Sequence, residues 1–141
     1  MNELLWTEED TVFDEKMDAQ HRDLFKMIGV FSLAVAGKLE DQLNNLFKFL
    51  ERYVEYHFTA EEELMRQYNY PGLQSHVIQH QALRNKVHLE YEDFLRDKNI
   101  SPDLVEFLQS WLKDHIKGSD RQYGEFIRDL RNSTNDEDLG K

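Results

Sequence analysis

The sequence predicts an all-α protein, a four-helix bundle with an irregular N-terminal arm. Three observations carry this. Apolar residues recur at steps of three and four along four stretches, no stretch alternates with the two-residue period of a strand, and helix-ending signals separate the four. With 141 residues the chain is expected to form one domain with a proper core, residues 1–131, followed by a polar, acidic tail or linker at 132–141.

The N-terminal arm is acidic, and its Trp6, Val12 and Phe13 are expected to pack over the bundle. Asp18 reads as the N-cap of a first helix running to about Gly37, with Leu24, Phe25, Ile28 and Phe31 on its inner face. A second helix is expected from about Glu40 to Tyr68, where Leu43, Leu46, Phe47, Leu50, Val54, His57, Glu61 and Leu64 share one stripe. Tyr70-Pro71-Gly72 closes it, since proline lacks a backbone donor and glycine permits the turn. The third helix spans about Leu73 to Asp97. Ser101-Pro102 reads as N-cap and first-turn proline of a fourth, reaching about Arg131 with Leu104, Phe107, Leu108, Trp111, Leu112 and Ile116 inward.

Composition excludes several classes. A net charge of −11 argues against nucleic acid or an anionic membrane surface as a partner. With no cysteine there is no disulfide, thiolate metal site or cysteine nucleophile. The opening residues Met1 to Glu9 do not read as a signal peptide, and the longest apolar run, Met27 to Gly37, is too short to span a bilayer, so a cytoplasmic location is expected.

Five histidines and two acids stand out: His21, His57 with Glu61, His76 with His80, and His115 with Asp120. Helical residues four apart differ by roughly 40° in direction, so His57 and Glu61 can share a site, as can His76 and His80. His115 and Asp120 are five apart, roughly 140° in a regular helix, which suits different parts of a site better than one ion. A second metal relieves that mismatch. A single His-x-x-x-His is commonplace on surfaces, but several histidines and two acids on apolar faces are costly to bury without a cation. Imidazole suits iron, zinc or copper and carboxylates can bridge cations, so the set points to a nitrogen-rich pair of ions. No Glu lies three residues before any His, unlike ferritin-like sites. His88 belongs to no motif, and Glu61-Glu62-Glu63 reads as a wet face from which only Glu61 turns inward.

Five stretches resemble the hemerythrin family, its bacterial members in particular: Asp18-Ala-Gln-His21, His57-Phe-Thr-Ala-Glu61-Glu, Met65 followed by Tyr70-Pro71, His76-Val-Ile-Gln-His80, and Trp111-Leu-Lys-Asp-His115-Ile-Lys-Gly-Ser-Asp120-Arg-Gln-Tyr123. Each piece is weak alone. Together they keep the family's order and spacing. The resemblance implies an antiparallel up-down-up-down bundle around a non-haem centre of two iron ions (Fe2+/Fe3+) with an oxo or hydroxo bridge. In it His76, His80 and His115 hold one iron, His21 and His57 the other, and Glu61 and Asp120 bridge them. Two roughly octahedral ions offer about twelve positions, of which this set and the oxygen bridge fill about eleven. One is left, on the iron with two histidines, for O2. The resemblance also implies an O2 pocket of Leu24, Phe58, Trp111, Leu112 and Ile116. Tyr123 stands either as a hydrogen-bond donor behind the ligands or as packing. Where the family often carries an aromatic after His80, Leu83 sits instead, which bears on tunnel size and autoxidation.

The expected function is reversible O2 binding for storage, delivery or sensing, and not catalysis, because the implied pocket holds no general acid. The alternatives are a redox or O2 sensor domain excised from a larger signalling protein, and a di-iron oxidase or peroxidase. Besides O2, a fused signalling output domain or a second copy of the chain are the partners left open.

Overall fold

A computed structural model describes the backbone of residues 5–139 and the side chains of residues 5–133. Every regular element among them is helical: a 3₁₀ turn at Glu8–Asp10, α1 (Glu15–Ala36), α2 (Glu40–Gln67), α3 (Leu73–Asp97), α4 (Leu104–His115), a π-helical turn at Ile116–Asp120, and α5 (Arg121–Leu139). The expected four-helix bundle is present, with α4, the π turn and α5 forming its fourth rod. None of the described helices is long and apolar enough to cross a membrane.

Two caps differ from expectation. α1 starts one turn earlier, where Asp14 accepts a 3.0 Å bond from the Met17 amide. Asp18 lies inside the helix, buried, accepting from the Thr11 hydroxyl at 2.6 Å and the Val12 amide at 2.9 Å. The two aspartates are one turn apart, so either could cap by spacing; the arm's unpaired donors claim the second. Likewise Ser101 does not cap the fourth rod. Its hydroxyl donates at 2.6 Å to Glu90, a buried carboxylate on α3 that requires a donor. Asp103 precedes the helix instead. α5 also continues past Arg131 to Leu139, since no proline or glycine follows Gly124 before that point.

The arm packs as expected. Val12 is fully buried and Trp6 half-buried under the Arg22 guanidinium, 4.7 Å from its ring. Phe13, at φ 61°, turns the chain into α1 beneath Arg121 and Arg128. Lys113 holds the arm through the Leu5 carbonyl and Asp10, each at 3.0 Å. Gly124 makes this approach possible. A Cβ there would stand 2.1 Å from the Val12 carbonyl oxygen, backbone against backbone. Gly124→Ala is therefore expected to cost about 1–3 kcal/mol by overpacking, read as a lowered thermal midpoint.

The larger apolar core runs through all four rods around Phe47, which meets Phe31, Tyr91 and Phe94 at centroid distances of 5.0, 5.3 and 5.4 Å. A smaller cluster of Met65, Tyr123 and Ile127 is separate from it. Phe58 of the first and Tyr123 of the second border the polar cluster described next.

Candidate metal centre

All seven predicted ligands are buried, none more than 6% exposed, and they converge. α2 contributes His57 and Glu61 one turn apart, their nearest atoms 3.2 Å from each other. α3 contributes His76 and His80 in the same way, and α1 contributes His21. The fourth rod departs from the sequence reading. Hydrogen bonding of the i→i+5 kind at Ile116–Asp120 absorbs one residue, so a spacing of five acts as a spacing of four. His115 Nε2 and Asp120 Oδ1 are consequently 3.0 Å apart rather than splayed by the angle of a regular helix.

The ligand atoms fall into two groups that share both acids. Glu61, His76, His80, His115 and Asp120 form one, and His21, His57, Glu61 and Asp120 the other. Asp120 Oδ1 faces His76 Nε2 at 2.8 Å while its Oδ2 faces His21 Nε2 at 3.2 Å. Glu61 likewise meets His80 and His57 through Oε1 and His21 through Oε2, all within 3.3 Å. One carboxylate thus reaches both halves, twice over.

The outer nitrogens fix which atom of each ring faces the centre. His57 Nδ1–H donates to Gln20 at 2.7 Å, His80 Nδ1–H to Glu62 at 2.7 Å, and His115 Nδ1–H to Gln79 at 3.0 Å, leaving each Nε2 lone pair directed inward. Gln79 also accepts from Ser119 at 2.7 Å. The sequence reading missed these partners. It placed Glu62 on a wet face, whereas α3 packs against that flank of α2 and leaves the side chain only 14% exposed. Tyr123 is fully buried and donates to Glu61 Oε2 at 2.5 Å, a bond to the other acid than the one near it in sequence.

Without a cation this arrangement is electrostatically awkward. Burial disfavours a charge on His21, yet the close, charged carboxylates of Asp120 and Glu61 override it and raise its pKa to about 10. Burial and the Glu61 charge push Asp120 up, but His115 and His21 more than reverse this and hold it low. Burial and both acids push the Tyr123 hydroxyl well up, so it keeps its proton. Glu61 Oε1, His80 Nε2 and both Asp120 oxygens are buried with no hydrogen-bond partner, and the Nε2 atoms of His76 and His115 face each other at 3.1 Å. Cations between these atoms would satisfy all of them at once, so the residues fit a pair of metal ions.

Next to the cluster runs a narrow apolar cavity of about 10 Å³, room for roughly one water-sized molecule. Leu24, Phe58 and Leu112 line it, as does Leu83. Ile116 and Trp111 do not. Ile116 is fully buried, and Trp111 stacks on the His115 ring with centroids 4.4 Å apart. Phe58 stacks face to face on His80 at 3.7 Å and so joins cavity to cluster.

The family model for the hemerythrin HHE cation binding domain matches residues 12–127. Myohemerythrin from Theromyzon tessulatum is 33% identical over 120 residues, covering 84% of this chain and 88% of that protein. A bacteriohemerythrin from Clostridium acetobutylicum is 27% identical over 126 residues, covering 84% and 97%. A crystal structure of wild-type hemerythrin superimposes with a TM-score of 0.81 at 24% identity, covering 85% of this chain and 94% of the other, which shows the shared fold. With the family model spanning every residue of the buried cluster, the chain belongs to the hemerythrin family.

Proposed function

We propose that this protein binds O2 reversibly at two iron ions, which His76, His80 and His115 on one side and His21 and His57 on the other would hold, with Glu61 and Asp120 shared between them. The observation that carries this reading is the pair of buried donor groups sharing two carboxylates beside an apolar cavity. Nitrogen-rich donors with two acids suit iron held at two charge states. A pair of ferrous ions held there would supply the electrons that O2 takes up on binding.

The chain's own residues favour binding over activation. Leu24, Phe58, Leu83 and Leu112 put hydrocarbon where a small apolar molecule would approach, and no titratable side chain lines the cavity among the described residues. Tyr123 is the nearest hydroxyl behind the ligands, but its proton is committed to Glu61 and burial holds it there. A cavity without a proton donor disfavours O–O cleavage and limits water, which keeps uptake reversible. The role assigned is therefore reversible O2 binding, for storage, delivery or sensing, rather than catalysis, in the cytoplasm, with O2 and not nucleic acid as the partner of this acidic chain.

The test is the optical spectrum of anaerobically reduced, iron-loaded protein before and after air. A visible band that forms with O2 and vanishes on deoxygenation is expected. Immediate, irreversible conversion to the diferric spectrum would contradict reversible binding.

A further inference from the structure

The outer partners of the histidines are unequal. His57 and His115 donate to neutral amides, Gln20 and Gln79, and the Nδ1 of His21 is buried with no partner. His80 instead donates to a carboxylate, Glu62, at 2.7 Å. That carboxylate is itself held by Arg84, whose Nη1 lies 3.2 Å from Glu62 while its Nε bonds Glu55 at 2.8 Å. The Arg84 guanidinium also sits 5.3 Å from the centre of the Phe58 ring, and that ring stacks on His80 within 1° of parallel. His80 is thus fixed in its plane by Glu62 and across its face by Phe58, with Arg84 behind both.

We propose that Glu62 and Arg84 are positioning residues that set the electron density His80 delivers to its metal, acting in opposite directions. This rests on His80 being a metal ligand. A carboxylate accepting Nδ1–H draws the proton outward and makes the ring a stronger donor at Nε2. The stronger donor favours the more highly charged metal. Arg84 offsets part of the Glu62 charge and moderates the effect. Among the described Nδ1 partners of the five clustered histidines, only that of His80 is anionic, so the asymmetry falls on the three-histidine group.

The test uses three forms of the full chain: wild type, Glu62→Gln and Arg84→Met. Glutamine keeps an acceptor for Nδ1–H and removes only the charge, as Gln20 already does for His57. Methionine keeps an apolar stem against Phe58. Anaerobic Fe(II) titration against a competing chelator gives affinity, and potentiometry gives the potential of the iron pair. Glu62→Gln is expected to bind Fe(II) about tenfold more weakly, the low end of what outer-partner loss typically costs, and to shift the potential upward. Arg84→Met is expected to shift it downward. Shifts of the same sign, as from a merely structural lesion, overturn the proposal, as does Fe(II) affinity unchanged in Glu62→Gln. Those results leave the metal-site reading intact if wild type binds two irons. A wild type that binds none overturns both.

Discussion

Asp120→Ala is expected to empty both metal positions, because its two oxygens face opposite halves of the cluster, His76 and His115 on one side and His21 on the other. The loss should exceed the about 100-fold that removal of an outer partner costs, since a bridging donor is removed from each ion. His115→Ala, by contrast, takes one donor from the three-histidine group alone. The metal-free Asp120 variant should also be less stable than metal-free wild type. Asp120 is part of what keeps His21 charged with its pKa near 10, and breaking a buried pair by removing one partner costs roughly 3–5 kcal/mol. Metal per chain after desalting and thermal unfolding of both apo forms check the two effects separately. Two irons retained per chain in Asp120→Ala would show that the acid is not a shared ligand.

Phe47→Ala is expected to carry the largest loss of stability without touching the site. The ring is fully buried against Phe31, Tyr91 and Phe94, in the part of the core that does not touch the histidines. Removing a ring from such packing costs about 3–5 kcal/mol, a transfer loss plus the cavity left behind. Denaturant unfolding should show this fall, while metal content measured in the cold should stay at the wild-type value. A parallel loss of metal would mean that the core near Phe47 and the ligand cluster are mechanically one unit. Both results bear on how the bundle divides its labour between folding and binding.

The ligand spacing was legible because helical geometry alone puts His57 with Glu61 and His76 with His80, and because both pairs continue apolar stripes. What periodicity could not supply is information that lies between helices. Glu62 is one residue past Glu61 and so points about 100° away from it, toward water if α2 stood alone. The packing of α3 on that flank turns it into the partner of His80. Gln20 and Gln79 pair with rings 37 and 36 residues away, distances that no local pattern encodes. The wide turn before Asp120 had one visible sign, the five-residue spacing itself, with Gly118 inside it. A regular helix assumed through that stretch made His115 and Asp120 diverge; the extra residue in the turn makes them converge. Asp14 and Asp18 show the same limit at a helix start. Spacing permits both as caps, and the arm's hydrogen bonds decide between them. Likewise, Ser101 was read as a cap until the buried Glu90 supplied a competing acceptor.

Seven buried side chains on four rods are proposed to hold two iron ions together. Iron quantified per chain in protein loaded anaerobically with Fe(II) and then desalted tests it most directly. Two irons per wild-type chain, lost from Asp120→Ala, is the expected result; wild-type protein that retains no iron would contradict it.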